Sequence, residues 1–483
     1  MPKELSPESI YLLVSLLHRF REDSHFEIKV EDIVKEHYST RNTVNSLLKK
    51  LESEGCLETE KTRNYRGKGR GPTRYRFTEK MEKVIESTPL LKKFCEANAH
   101  TMARIIDAGG CCCGDALKGG LRSSNRLFLL ILVLHSDEMG VVSNLGTAEI
   151  SRLMGGISKD RFKSQLATMV DNGLVRAYVP GITGAELFGK VKAKYYLNVY
   201  HPLLTGCYPN VSRLTFYVNG ITWGNMSTEA DALFGTRPYN RASWPRIIAR
   251  YCQYLDMQNI YPFLKRKSLA SQYQLKLFEL ASVMLSENMH TLAEESTWCR
   301  AIDFVSPNVF LGKTKTASLM DVTLMLVAAN DAPESITCLK DETTVFHYIS
   351  KQLVLCVQGK KRESNQVTNL WSGYLDLAGL SISIARGIAK RYQALINYSY
   401  RELSVDKVVL VPVFTYETTE KQEKFIESFE VLFTSNQQCG ESKLILHEDR
   451  FEISHEGTSP HVVESFENHE QLSQRVDKLL LPW

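Results

Sequence analysis

The sequence has no long apolar run. Its longest uninterrupted one, Leu127 to Leu134 (LFLLILVL), is eight residues, far short of the roughly 18 to 20 that a spanning helix needs, so a transmembrane helix is not expected. It also has no disulfide pattern. The 11 cysteines are an odd number without regular spacing, which reads as free thiols in a reducing compartment. The triplet Cys111, Cys112, Cys113 sits in a Gly-rich stretch with no CxxC or HxxxH nearby, so a connector is expected there and not a metal or redox site. The first 20 residues lack the basic n-region and small-residue cleavage site of a signal peptide. A cytoplasmic location is the expectation.

What is present is ordinary globular composition, 43% hydrophobic and 24% charged over 483 residues, enough for more than one core. The net charge of +4 is unevenly spread. Residues 1 to 200 hold 31 Lys and Arg against 24 Asp and Glu, whereas residues 401 to 483 hold 8 against 16. A basic N-terminal part suits a polyanion, and an acidic C-terminal part argues against a second nucleic-acid surface there.

The first 82 residues read as three helices and a hairpin. Ser6-Pro7-Glu8 caps a helix with Ile10, Leu13, Val14, Leu17 and Phe20 on one stripe. A short strand-like FEIKV (Phe26 to Val30), a short helix (Glu31 to His37) and a third helix (Thr40 to Glu54, ended by Gly55) follow. Strands near Cys56 to Thr59 and Thr73 to Phe77 flank a Gly-rich turn. The same order recurs at Asn125 to Ser136, Thr147 to Met154, Ser158 to Asn172, Leu174 to Val179 and Lys194 to Tyr200. The two third helices align without a gap at an offset of 118, Thr40 on Ser158, Val44 on Phe162, Leu48 on Leu166, Leu51 on Met169 and Gly55 on Gly173, which points to an internal repeat.

The expected class is therefore α+β and helix-rich: a winged helix at 1–82, a helical, Gly- and Cys-containing linker at 83–123, a second winged helix at 124–204, a helix-rich region at 205–334 and a mixed α/β region at 335–483. In the latter two, helices are expected at Arg246 to Asp256, Gln272 to Asn288 and Leu380 to Ser399, and strands at Lys407 to Tyr416 and Lys443 to His447.

The strongest chemical signal is KTRNYRGKGRGPTRYR, Lys61 to Arg76, with seven basic residues and no acid. It falls on the expected wing. There Lys61, Arg63, Arg66, Lys68, Arg70 and Arg74 would neutralise phosphates, while Arg41, Asn42, Asn45 and Lys49 on the third helix would reach base edges in the major groove. Arg suits guanine O6/N7 and Asn suits adenine N6/N7 by paired hydrogen bonds. In the second copy the counterparts are Lys159, Arg161 and Lys163 on the helix and Lys190 and Lys192 by the hairpin. That copy, less basic, could equally pack against the first copy or a partner.

LLKKLESEGCLETE, the basic turn and TRYRFTEK resemble winged helix-turn-helix regulators of the MarR-like kind, closely over residues 5 to 82 and more loosely over 124 to 200. The resemblance implies a base-reading third helix (Arg41, Asn42, Asn45) and a wing tip (Arg66, Lys68, Arg70) gripping the flanking minor groove. Two units in one long chain depart from that family, so its usual dimerisation and ligand binding do not carry over. Tandem winged helices also resemble plasmid replication initiators. The reading that follows is a sequence-specific double-stranded DNA-binding protein, a transcriptional regulator, with the initiator as the alternative. The C-terminal half would serve oligomerisation or a protein partner, and no membrane or cofactor is expected.

A DNA-tethered P-loop enzyme is the third reading. Gly312-Lys313-Thr314 follows a strand-like Ala301 to Val305 and precedes a helix-like Ala317 to Ala329, but Pro307 stands where the first glycine belongs and offers no N–H to a phosphate. His447, Glu448, Asp449, His455 and His461 fit no metal spacing, and Glu441-Ser442-Lys443 lacks a placed Asp for nuclease chemistry. No catalysis is expected.

Overall fold

The computed structural model describes residues 5–36, 39–61, 73–97, 99–107, 121–185, 189–204, 206–218, 270–288, 384–385, 387–397, 399–400, 405–412, 416–419, 422–435, 440–446, 450–455 and 461–465. The chain is mixed α and β and divides into two compact units, Met1–Gly181 with Lys192–Pro209, and Ile182–Val191 with Asn210–Trp483. Among the described residues no helix is long and apolar enough to cross a membrane.

The first unit contains the same element order twice. The first copy runs α1 (Pro7–Phe20), β1 (Phe26–Glu27), α2 (Val30–Glu36), α3 (Arg41–Ser53), β2 (Leu57–Lys61) and β3 (Thr73–Phe77), with an antiparallel sheet ordered β1-β3-β2. Three helices follow, α4 (Glu79–Ser87), α5 (Pro89–Glu96) and α6 (Ala99–Asp107). The second copy is α7 (Ser123–His135), β4 (Val141–Val142), α8 (Thr147–Leu153), α9 (Lys159–Asp171), β5 (Val175–Val179) and β8 (Lys194–Leu197), its sheet ordered β4-β8-β5. Between β5 and β8 the chain leaves the first unit to form a ribbon of β6 (Ile182–Ala185) and β7 (Gly189–Val191), which counts with the second unit, where the sequence pattern predicts only a turn. FEIKV gives a strand of two residues, because Val30 already begins α2.

The repeat extends to individual hydrogen bonds. Thr40 Oγ1 accepts from the Thr43 N–H at 3.2 Å, and Ser158 Oγ accepts from the Arg161 N–H at 3.2 Å, so both third helices carry a hydroxyl N-cap. Both end on a left-handed glycine, Gly55 at φ 68° and Gly173 at φ 69°. The next N–H in each, from Cys56 and from Leu174, reaches back to Leu51 O (2.8 Å) and to Met169 O (2.9 Å). A clasp then ties each glycine to the residue after the last strand. Thr78 Oγ1 donates to Gly55 O (2.7 Å), and Asn198 Nδ2 donates to Gly173 O (2.9 Å).

One continuous cluster of buried apolar side chains, from Leu5 to Leu204, runs through both copies. It includes Ile85, Leu90, Leu91, Phe94, Met102, Ile105 and Ile106 of α4 to α6, so the helical part of the expected linker is core. The first helices α1 and α7 pack on each other and are buried on all sides over Ser9–Leu17 and Ser123–Leu132. Arg126, 2% exposed, lies at this junction. Its Nε donates to Leu121 O (2.9 Å) and its Nη1 to Ile106 O (3.0 Å) and to Tyr11 Oη (3.4 Å), while the Tyr11 hydroxyl donates to Ile106 O (3.2 Å). Gly155, in the α8–α9 turn, passes so close to α1 that a Cβ there would lie 2.4 Å from the Leu5 carbonyl oxygen.

In the second unit the sheet order is β10 (Val405–Val411), β12 (Gln422–Ser435), β9 (Val211–Val218), β13 (Glu441–Leu446), β14 (Arg450–His455), β15 (His461–Ser465), with β11 (Tyr416–Thr419) also on β12. The β9 strand is antiparallel to β12 and parallel to β13, so a segment expected to be helix-rich supplies a central strand among C-terminal ones. Helix α10 (Ala270–Asn288) lies along β10, where Ser286 Oγ accepts from the Val408 N–H (2.9 Å) and Ser282 Oγ from the Leu410 N–H (3.0 Å). Serines four residues apart thus satisfy the outward N–H groups of the edge strand. The helix expected at Leu380 to Ser399 is observed over 387–397, and the one at Arg246 to Asp256 lies outside the described residues.

Candidate nucleic-acid interface

Helix α3 buries Val44, Leu47, Leu48 and Leu51 and leaves Arg41, Asn42 and Lys49 exposed and Asn45 half-buried. At about 100° per residue the four predicted base-reading residues fall within an arc of about 100°. They share one face. The side chains of Asn42, Asn45 and Lys49 make no hydrogen bond or ion pair among the described residues. Arg41 Nη2 lies 3.0 Å from Glu31 Oε1 on α2.

The strand β3 alternates: Tyr75 is buried, while Arg74 and Arg76 face out. Neither arginine stands alone. Register places Arg76 opposite Glu58 and Arg74 opposite Glu60 on one side and Glu27 on the other. Arg74 is ion-paired to Glu27 and Arg76 to Glu58, and the Glu27 contact raises the Arg74 pKa further. The stem of the hairpin is therefore close to neutral. Lys61 ends β2, and Arg63, Arg66, Lys68 and Arg70 lie outside the described residues.

In the second copy Lys159 and Lys163 are exposed on α9 and make no ion pair among the described residues. Arg161 is bound differently, to Glu8 in the first turn of α1. Lys192 donates to Asn144 O (2.6 Å) and lies 3.7 Å from Glu149 on α8, while Lys190 is in β7. Two of the five predicted cations of this copy are thus engaged within the unit. One inward position is anomalous: Gln165, 5% exposed, has no hydrogen-bond partner for Oε1 or Nε2 among the described residues.

In the second unit, Arg213 on β9 bridges Glu441 (2.7 Å) and Glu430 (3.8 Å), with Glu430 almost fully buried. Glu441, read for nuclease chemistry, is thus held in an ion pair. The Tyr400 hydroxyl donates to Ser442 Oγ (2.6 Å), which lies 2.7 Å from His455 Nδ1. Ser442 is fully buried, so this chain fastens residue 400 to the sheet. The segment 301–329, Cys111 to Cys113 and His447 to Asp449 lie outside the described residues. Among the described residues no group of three His, Cys, Asp or Glu could hold a metal ion.

Sequence reasoning missed the acids. The hairpin run contains none, but Glu27, Glu31 and Glu58 come to its arginines and to Arg41 from neighbouring elements. Their signal was faint: Glu58 and Glu60 alternate with Thr59, as one face of a strand does. No protein-family model, curated protein or solved structure matches this chain.

Proposed function

We propose that this protein binds double-stranded DNA sequence-specifically as a cytoplasmic transcriptional regulator, reading bases with α3 of the first of two winged-helix modules. The observation that carries the reading is the single arc of exposed Arg41, Asn42 and Lys49 and half-buried Asn45 on a capped helix. That helix leads through Gly55 directly into a hairpin with seven basic residues. The order helix, strand, helix, helix, strand, strand, with the last strand central, supports the winged-helix assignment in both copies.

The modules divide the work. Arg161 and Lys192 of the second are tied to Glu8 and Glu149, so the first module does the reading and the second braces it through the α1–α7 junction. The second unit, acidic towards its C-terminus, serves oligomerisation or a protein partner. The test is the salt dependence of duplex binding by the full chain. Five to seven phosphate contacts give a slope of log K against log[salt] on the order of −4 to −6, and a slope near zero removes the reading.

The fusion of both modules of this chain into one core favours a second reading, a replication initiator with tandem winged helices. Footprinting separates the two. An initiator protects repeated sites at an origin, and a regulator protects promoters.

A further inference from the structure

We propose that Glu31 is a positioning residue for base recognition: its carboxylate orients the Arg41 guanidinium toward guanine, and its charge penalises binding to arbitrary sequence. The inference rests on α3 being the base-reading helix. Arg41 is the first residue of α3, directly after the Thr40 cap, and Glu31 is in the first turn of α2. Their 3.0 Å ion pair therefore links the two helices of the helix-turn-helix at the end that would enter the groove.

In the free protein this pair is weak. The side chains are 71% and 58% exposed, and solvent screens such a contact almost completely. A duplex changes its surroundings. With water displaced from the groove, the same two charges attract more strongly, and the arginine is held in one orientation. One contact to Glu31 leaves the guanidinium enough N–H groups for O6 and N7 of guanine. At any other base the arginine has no paired acceptor, and the carboxylate is left close to phosphates that repel it.

The second module supplies an internal comparison. At the offset of 118, Glu31 corresponds to Glu149 and Arg41 to Lys159. There the acid lies 3.7 Å from Lys192 and 4.0 Å from Arg152, and Lys159 has no ion-pair partner among the described residues. The same acid position thus holds a recognition-helix cation only in the module that carries the basic hairpin.

The experiment measures the full chain against a duplex selected from random DNA and against the same duplex with the Arg41-dependent guanine replaced. Wild type should prefer guanine by about 10- to 100-fold. Glu31→Gln should lower that ratio at least about threefold, mainly by tightening binding to the substituted duplex, and Glu31→Asp should retain most of it. In an Arg41→Ala background the same Glu31→Gln change should leave the ratio untouched, which a merely structural role for Glu31 would not produce. A ratio unchanged by Glu31→Gln, or lowered equally with Arg41 absent, overturns the inference while leaving α3 as the reader. If wild type shows no base preference at all, the DNA-reading proposal fails first and this inference falls with it.

Discussion

The buried amide of Gln165 offers a test of the internal repeat that needs no ligand. Its counterpart at the offset of 118 is Leu47, 1% exposed in the core of the first module. Gln165 is 5% exposed, with neither polar atom hydrogen-bonded among the described residues. Leaving a buried polar group unsatisfied costs about 1–3 kcal/mol. Gln165→Leu removes that cost and supplies the residue the other copy uses, at some expense in fitting a branched Cγ. The net expectation is a gain of about 1–2 kcal/mol. Hydrogen exchange of peptides from α7 and α9 isolates the first unit from the rest of the chain and should show slower exchange. The melting midpoint of that unit should rise by about 2–4 °C per kcal/mol. The reverse change, Leu47→Gln, should cost about 2–4 kcal/mol by losing apolar burial and creating the same defect. If Gln165→Leu destabilises the unit, the amide has a partner such as a buried water, and the two modules are not interchangeable at this position.

Three further outcomes follow from the geometry. Burial lowers the pKa of His135 and of His201, whose Nδ1 also accepts from the Leu203 N–H. The unfolded chain therefore takes up protons first: stability is complete above about pH 6.5 and declines as pH falls through that value toward the folded pKa values. Urea midpoints from pH 7.5 to 5 should fall, less so in His201→Asn, and a rise would contradict the assignment. Arg213→Ala leaves the buried Glu430 and the half-buried Glu441 without their shared cation and should cost about 3–5 kcal/mol, read as faster exchange in β12 and β13. Gly155 and Gly156 have φ of 80° and 81°, so alanine strains both by about 1–2 kcal/mol. Only Gly155→Ala also meets the Leu5 carbonyl oxygen, and equal melting temperatures for the two variants would refute the close approach of the α8–α9 turn to the start of α1.

Local structure was largely legible in the sequence wherever capping and periodicity agreed. Thr40, Val44, Leu48, Leu51 and Gly55, with their partners 118 residues on, define both third helices to within a residue or two. Long-range pairing was not legible. Nothing in VSRLTFYV announces that β9 will sit between β12 and β13, strands more than 200 residues later, because a strand pattern carries no information about its partner. The all-round burial of α1 and α7 was likewise hidden. Arg126 reads as a surface residue, and its partners Leu121 O, Ile106 O and the Tyr11 hydroxyl show how it is accommodated at the junction. On the candidate interface, the sequence identified which cations share a helix face. The acids that hold Arg41, Arg74, Arg76 and Arg161 come from other elements, and spacing along the chain does not reveal them.

The central claim is that α3 reads bases while the basic hairpin holds the backbone, and competition binding of the full chain to a selected and a scrambled duplex tests it most directly. Asn45→Ala should weaken binding to the selected duplex by about 1–3 kcal/mol and leave the scrambled duplex nearly unchanged. Arg66→Ala or Arg70→Ala should weaken both alike and reduce the salt slope by about one each. Equal loss on both duplexes for Asn45→Ala would contradict the account, making α3 a phosphate anchor and the protein a non-specific DNA tether.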